Sequence, residues 1–137
     1  MDDERRPLDK LVDLYNTLSA TSACTVVGSF KIPTGETCEL LAFCQPGELV
    51  DDSMMIACGE ANQASMGESD FQKFWKYHDI IPFEFWNHYF VFPKAFGADG
   101  GVRFVRRYYD NWHQLRGIRG HGWGGEGGVL VRFRPAL

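Results

Sequence analysis

Between Trp112 and Glu126 the chain gathers two Trp, two His, two Arg and one Glu: Trp112, His113, Arg116, Arg119, His121, Trp123 and Glu126. Their backbone is glycine-rich, with seven glycines in the twelve positions 117–128. Glycine permits positive φ and lets an anion come close to main-chain N–H groups. Arginine forks bind a carboxylate or phosphate through two parallel hydrogen bonds, and a Trp face accepts a flat ring or a cation. Loops longer than about a dozen residues in compact domains usually carry function or lack order. Trp112, His113, Arg116, Arg119, His121 and Trp123 are therefore the candidate ligand-binding set. The plainer alternative is a mobile loop with Trp112 and Trp123 tucked into the core.

Other chemistry is weaker on the page. Three of the four histidines, His78, His88, His113 and His121, would make a metal face if the fold converged them with Glu84 or Glu126. No two share a spacing that places them side by side on one element, so no metal site is assigned. No phosphate-loop or dinucleotide pattern occurs, and no cofactor is implied. Nothing resembles a nucleophile elbow or a Cys-His signature. His121 or His113 oriented by Glu126 is the general base an enzyme would use, but a glycine tract is a poor platform for precise geometry. The balance favours a non-catalytic module. The stretch Arg103-Phe104-Val105-Arg106-Arg107-Tyr108-Tyr109 interleaves cations with rings, as single-strand nucleic-acid binders do. A net charge of −4 weighs against that partner.

These groups must be positioned by elements that periodicity suggests. Leu8, Leu11, Val12, Tyr15 and Leu18 recur every three or four residues, predicting an amphipathic helix over 7–19. Residues 24–32 and 37–44, joined by Pro33-Thr34-Gly35-Glu36, predict a β-hairpin. Setting Phe30 opposite Leu40 would put Cys24, Val26, Gly28, Phe30, Ile32, Cys38, Leu40, Ala42 and Cys44 on one face and pair Lys31 with Glu39. A third strand is expected at 54–58, then a helix over 70–78 opened by a Ser69–Gln72 capping box. Residues 83–92, with six rings in ten positions, suggest a strand covered on both faces, although Pro82 could equally open a short helix. Phe104, Val105, Tyr108, Tyr109, Trp112 and Leu115 fit a helical stripe, and 129–133 a closing strand. The helix and hairpin of roughly the first 45 residues resemble the start of GAF-type sensory domains, a resemblance that assigns no site residue.

The order α-β-β-β-α-β-α-β predicts a single α+β domain over 1–137: an antiparallel sheet of about five strands packed by about three helices. Its 137 residues are 45% hydrophobic and 23% charged, the balance of a globular chain. The first 99 residues hold sixteen acids against seven bases, while the remainder holds seven arginines against two acids. Such a split marks a phosphate-binding end or a surface that pairs with the acidic part of the same fold or a twin. No export signal or span of ~20 apolar residues is present, so a cytoplasmic protein without a membrane segment is expected. In a reducing compartment Cys24, Cys38, Cys44 and Cys58 read as free, buried thiols. The surplus of rings at 71–92 points to a small aromatic or anionic ligand in an aromatic-lined pocket, or else to a homodimer that buries the 83–92 strand.

Overall fold

The computed structural model describes residues 24–44, 48–117, 122–124 and 127–136; the helix expected over 7–19 lies outside them. Strands β1 (Thr25–Lys31) and β2 (Thr37–Ala42) form the expected hairpin. Its turn is closed by Ile32 N–H donating to the Glu36 carbonyl at 3.0 Å, and Gly35 supplies the φ of +90° that the turn needs. Phe30 faces Cys38 rather than Leu40. A slip of two residues keeps the same side chains on the same face, so Ile32, Cys38 and Leu40 are buried together as expected. Lys31, however, meets Thr37. A bulge between Val26 and Gly28 exchanges faces upstream of it, which takes Cys24 and Val26 off the Phe30 side.

Four further expectations are corrected. Residues 54–58 are helical, within α1 (Asp52–Ala61), because Asp51 caps it by accepting from Met54 N–H at 2.8 Å and Met55, Cys58 and Gly59 form an i, i+3, i+4 buried stripe. Gly59 leaves room for the Met66 side chain, whose sulfur would stand 2.1 Å from a Cβ and would have to move. The next helix, α2 (Glu68–Lys76), begins earlier than expected, because Asp70 rather than Ser69 supplies the cap, accepting from Gly67 N–H at 3.1 Å. Gln72 donates instead to Glu68 at 2.9 Å. The segment 83–92 divides: Pro82 opens a single 3-10 turn, Phe83–Phe85, and β4 runs Tyr89–Phe96. Finally, the stripe over 104–115 is a hairpin, β5 (Val102–Tyr108) and β6 (Asn111–Arg116), reversed at Tyr109-Asp110.

With β8 (Gly128–Arg134) the strands make a six-stranded sheet in the order β1-β2-β8-β4-β5-β6. Only β4 and β8 run parallel. A small second pair joins β3 (Leu49–Val50) to β7 (Trp123–Gly124). The class is α+β, with a mixed sheet of six strands and two α-helices among the described residues. One face carries Leu40, Phe90, Phe92, Val105, Val129 and Val131 beneath Phe71 and Phe74 of α2 and Phe85 of the 3-10 turn. The other carries Leu41, Tyr89, Val91 and Leu130 beneath Met55 and Cys58 of α1 and Trp123 of β7. No helix among the described residues is long and apolar enough to cross a membrane.

The thiol expectation is half corrected. The bulge sends Cys24 to the α1 face, where it forms a disulfide with Cys58 across a Cα–Cα distance of 6.3 Å. Cys38 is a free, buried thiol, pushed up to about 12 by loss of solvent, and Cys44 is half-buried.

The arginine-rich end pairs with the acidic part of its own fold. Arg103 meets Glu68 at 2.6 Å, Arg116 meets Asp99 at 3.4 Å, and Arg132 (2.9 Å) and Arg134 both meet Glu39. Burial alone would raise the Glu39 carboxyl, but the two arginines hold it below the ordinary carboxylate range. A folded-state value below the unfolded one stabilises above the unfolded pKa of ~4.3 and is lost as pH falls through the folded value. Thermal melting should therefore fall steeply from pH 5 toward pH 2, and Glu39→Gln should flatten that fall while lowering the melting temperature at pH 7. An unchanged pH profile in Glu39→Gln would remove this cluster from the account of acid stability.

Candidate functional site

Among the described residues, the structure does not bring Trp112, His113, Arg116 and Trp123 together at one site. Arg119, His121 and Glu126 lie outside the described residues. Trp112 and His113 are neighbours on β6, so pleating sends them to opposite faces: Trp112 toward Phe90 (5.9 Å between centroids) and His113 toward Tyr108 (6.3 Å). Arg116 is engaged by Asp99. Trp123 is buried, 8% exposed, with its indole N–H donated to Asp52 at 2.5 Å and its ring against Phe104 and Tyr89. It is a core residue. The histidines are dispersed too: His78 stacks on Trp75 at 4.0 Å, and His88 Nδ1 lies 3.0 Å from the Gly127 carbonyl. No group of three metal-ligating side chains forms among the described residues.

The arginine–aromatic stretch forms a different arrangement, because it is a strand. Alternation along β5 puts Arg103, Val105 and Arg107 on the α2 face and Phe104, Arg106 and Tyr108 on the other. Arg103 lies over Phe71 at 4.1 Å and is neutralised by Glu68. Arg107 lies 3.9 Å over the Trp86 ring and 5.9 Å from Trp112 on the neighbouring strand. Trp86 is fixed in turn, since its indole N–H donates to the Ile81 carbonyl at 2.9 Å and Phe83 packs against it at 4.9 Å. Among the described residues Arg107 has no hydrogen bond or ion pair; ring contacts alone hold its guanidinium. Stacking leaves the planar edge of such a group, and its N–H donors, open to an incoming anion.

This cation borders a surface cleft of about 390 Å³ lined by Phe83, Glu84, Trp86, Asn87, Arg107, Tyr109 and Asp110. Two of its rings are offered to solvent: Phe83 is 78% and Tyr109 94% exposed. The turn that carries Tyr109 is unusual. Tyr109 and Asp110 have φ of +50° and +66°, the conformation of a two-residue hairpin loop that favours Asn-Gly. A bulky residue there costs roughly 1 kcal/mol against its Cβ, and such strain concentrates where a side chain must be presented. The signals are visible in part in the sequence: the rings of 83–92 and the arginine–aromatic run are both apparent, but at the turn only Asp110 is a turn-favouring residue and no glycine marks it.

Replacing Tyr109-Asp110 by Asn-Gly should raise stability by about 1–2 kcal/mol in urea titration. A loss of stability would show that the tyrosine ring supports the fold rather than faces a guest. Comparison of the chain with protein-family models, with curated proteins and with solved structures finds no match, so the cleft is interpreted from its own residues.

Proposed function

We propose that this protein is a non-catalytic binding module that holds a flat apolar group bearing a negative charge against the Trp86–Arg107–Trp112 stack. The observation that carries this reading is the guanidinium of Arg107. It is ordered by two indoles, unpaired among the described residues, and placed at a cleft walled by exposed rings. Side chains already held in one geometry lose little entropy when a ligand arrives. The rings supply apolar contact and the fork supplies orientation, the usual division of labour in small-molecule sites. The ligand class proposed is the one expected from the sequence. The place moves from the glycine tract to the tip of the β5–β6 hairpin, and of the original set only Trp112 contributes.

A dimer through the rings of 83–92 would have to use residues outside the buried strand portion. β4 lies inside the sheet between β8 and β5, with Phe90, Val91 and Phe92 fully buried. Phe83, Glu84 and Asn87 are the exposed residues of that segment, and all three line the cleft.

Aromatic carboxylates such as 3-phenylpropionate and L-tryptophan should raise the melting temperature of the full chain in a dose-dependent manner. Arg107→Ala should weaken binding about tenfold to a hundredfold, the worth of a charge-assisted hydrogen bond. Arg106→Ala, on the opposite face, should bind normally. Equal loss in both variants would reduce the effect to general electrostatics, and no protection by any of these compounds would remove the site.

A further inference from the structure

The charge pattern of the cleft narrows the ligand further, an inference that rests on the binding reading above. Glu84 and Asp110 line the same cleft as Arg107, yet among the described residues neither has a hydrogen bond or ion pair. One cation and two carboxylates therefore stand apart around a space walled by Phe83 and Tyr109, with their charges uncancelled. A simple anion meets Arg107 but is repelled by both acids. A phosphate, with nearly two charges, is repelled more. A simple amine is drawn to the acids but repelled by the guanidinium. A molecule that carries both charges a short distance apart satisfies every group at once.

We propose that the cleft binds a free α-amino acid with an aromatic side chain. Its carboxylate takes the Arg107 fork, its ammonium faces Asp110 and Glu84, and its ring sits between Phe83 and Tyr109. The volume of about 390 Å³ accommodates a molecule of this size. The strain at Tyr109 gains a purpose here, because the same turn that presents the ring also sets the Asp110 carboxylate at the rim.

Isothermal titration of the full chain with L-phenylalanine, 3-phenylpropionate and 2-phenylethylamine separates the charges on one ring. L-phenylalanine should bind at least about tenfold more tightly than either partial analogue, since each lacks one charge-assisted contact. The double variant Glu84→Gln, Asp110→Asn should bring L-phenylalanine to the level of 3-phenylpropionate and leave the latter undiminished. Asn suits the left-handed turn conformation, so this variant is expected to fold, and circular dichroism checks that it does. If 3-phenylpropionate binds as tightly as L-phenylalanine, the amino-acid assignment is overturned while the anion site stands. If 2-phenylethylamine binds most tightly, the acids rather than Arg107 govern the cleft and the assignment also falls. If none of the three binds, the binding reading fails together with it.

Discussion

The central constraint on this molecule is that β4 must bury both of its faces. It lies between β8 and β5, with Phe90 and Phe92 on one side and Tyr89 and Val91 on the other, all buried. A strand in that position needs a cover above and below. Helix α2 and the 3-10 turn supply one; α1 and the β3–β7 pair supply the other. Each buried ring removes a large apolar area from water, at roughly 25 cal/mol per Å². From this one demand follow the position of the 3-10 turn, which carries Trp86, and the position of β5 beside β4, which carries Arg107.

The same constraint explains why the cation at the cleft is held as it is. Trp86 sits at the end of the cover over the Phe90 face, and Trp112 sits on β6, one strand beyond β5. Arg107 emerges between them. The acids that neutralise the other arginines are elsewhere: Glu68 on α2 reaches Arg103, and Glu39 on β2 reaches Arg132 and Arg134. The charge asymmetry of the sequence thus divides into arginines paired with acids of the same fold and arginines held by rings. Arg106 and Arg107, on opposite faces of β5, retain only ring contacts among the described residues.

Much of the fold class was legible in the chain, and the errors have specific causes. The first hairpin and the helix expected over 70–78 followed from alternation and from i, i+3 spacing, and both exist, the helix shifted to Glu68–Lys76. Residues 54–58 were ambiguous because a five-residue apolar run has no period of its own; Asp51 as a cap was the overlooked evidence. The stripe over 104–115 imitated a helix because Val105 and Trp112 share a face across a hairpin, while the turn at Tyr109-Asp110 is marked only by Asp110 and lacks a glycine. The Cys24–Cys58 bond depends on a bulge, which no local pattern announces. The site suffered from the same error as the 104–115 stripe. Read as a helix, Arg103, Arg106 and Arg107 formed one solvated face; read as a strand, they separate, and one of them gains two indoles.

The account stands on Arg107 being held by stacked rings and open at its edge. Nuclear magnetic resonance of the Arg107 side chain tests this most directly. The prediction is that its Nε–H and Cδ protons resonate well upfield of ordinary arginine values, under the Trp86 ring current, and that the Nε–H signal shifts on addition of L-phenylalanine. An Arg107 side chain with the averaged shifts of a free surface arginine, unmoved by the amino acid, would contradict it.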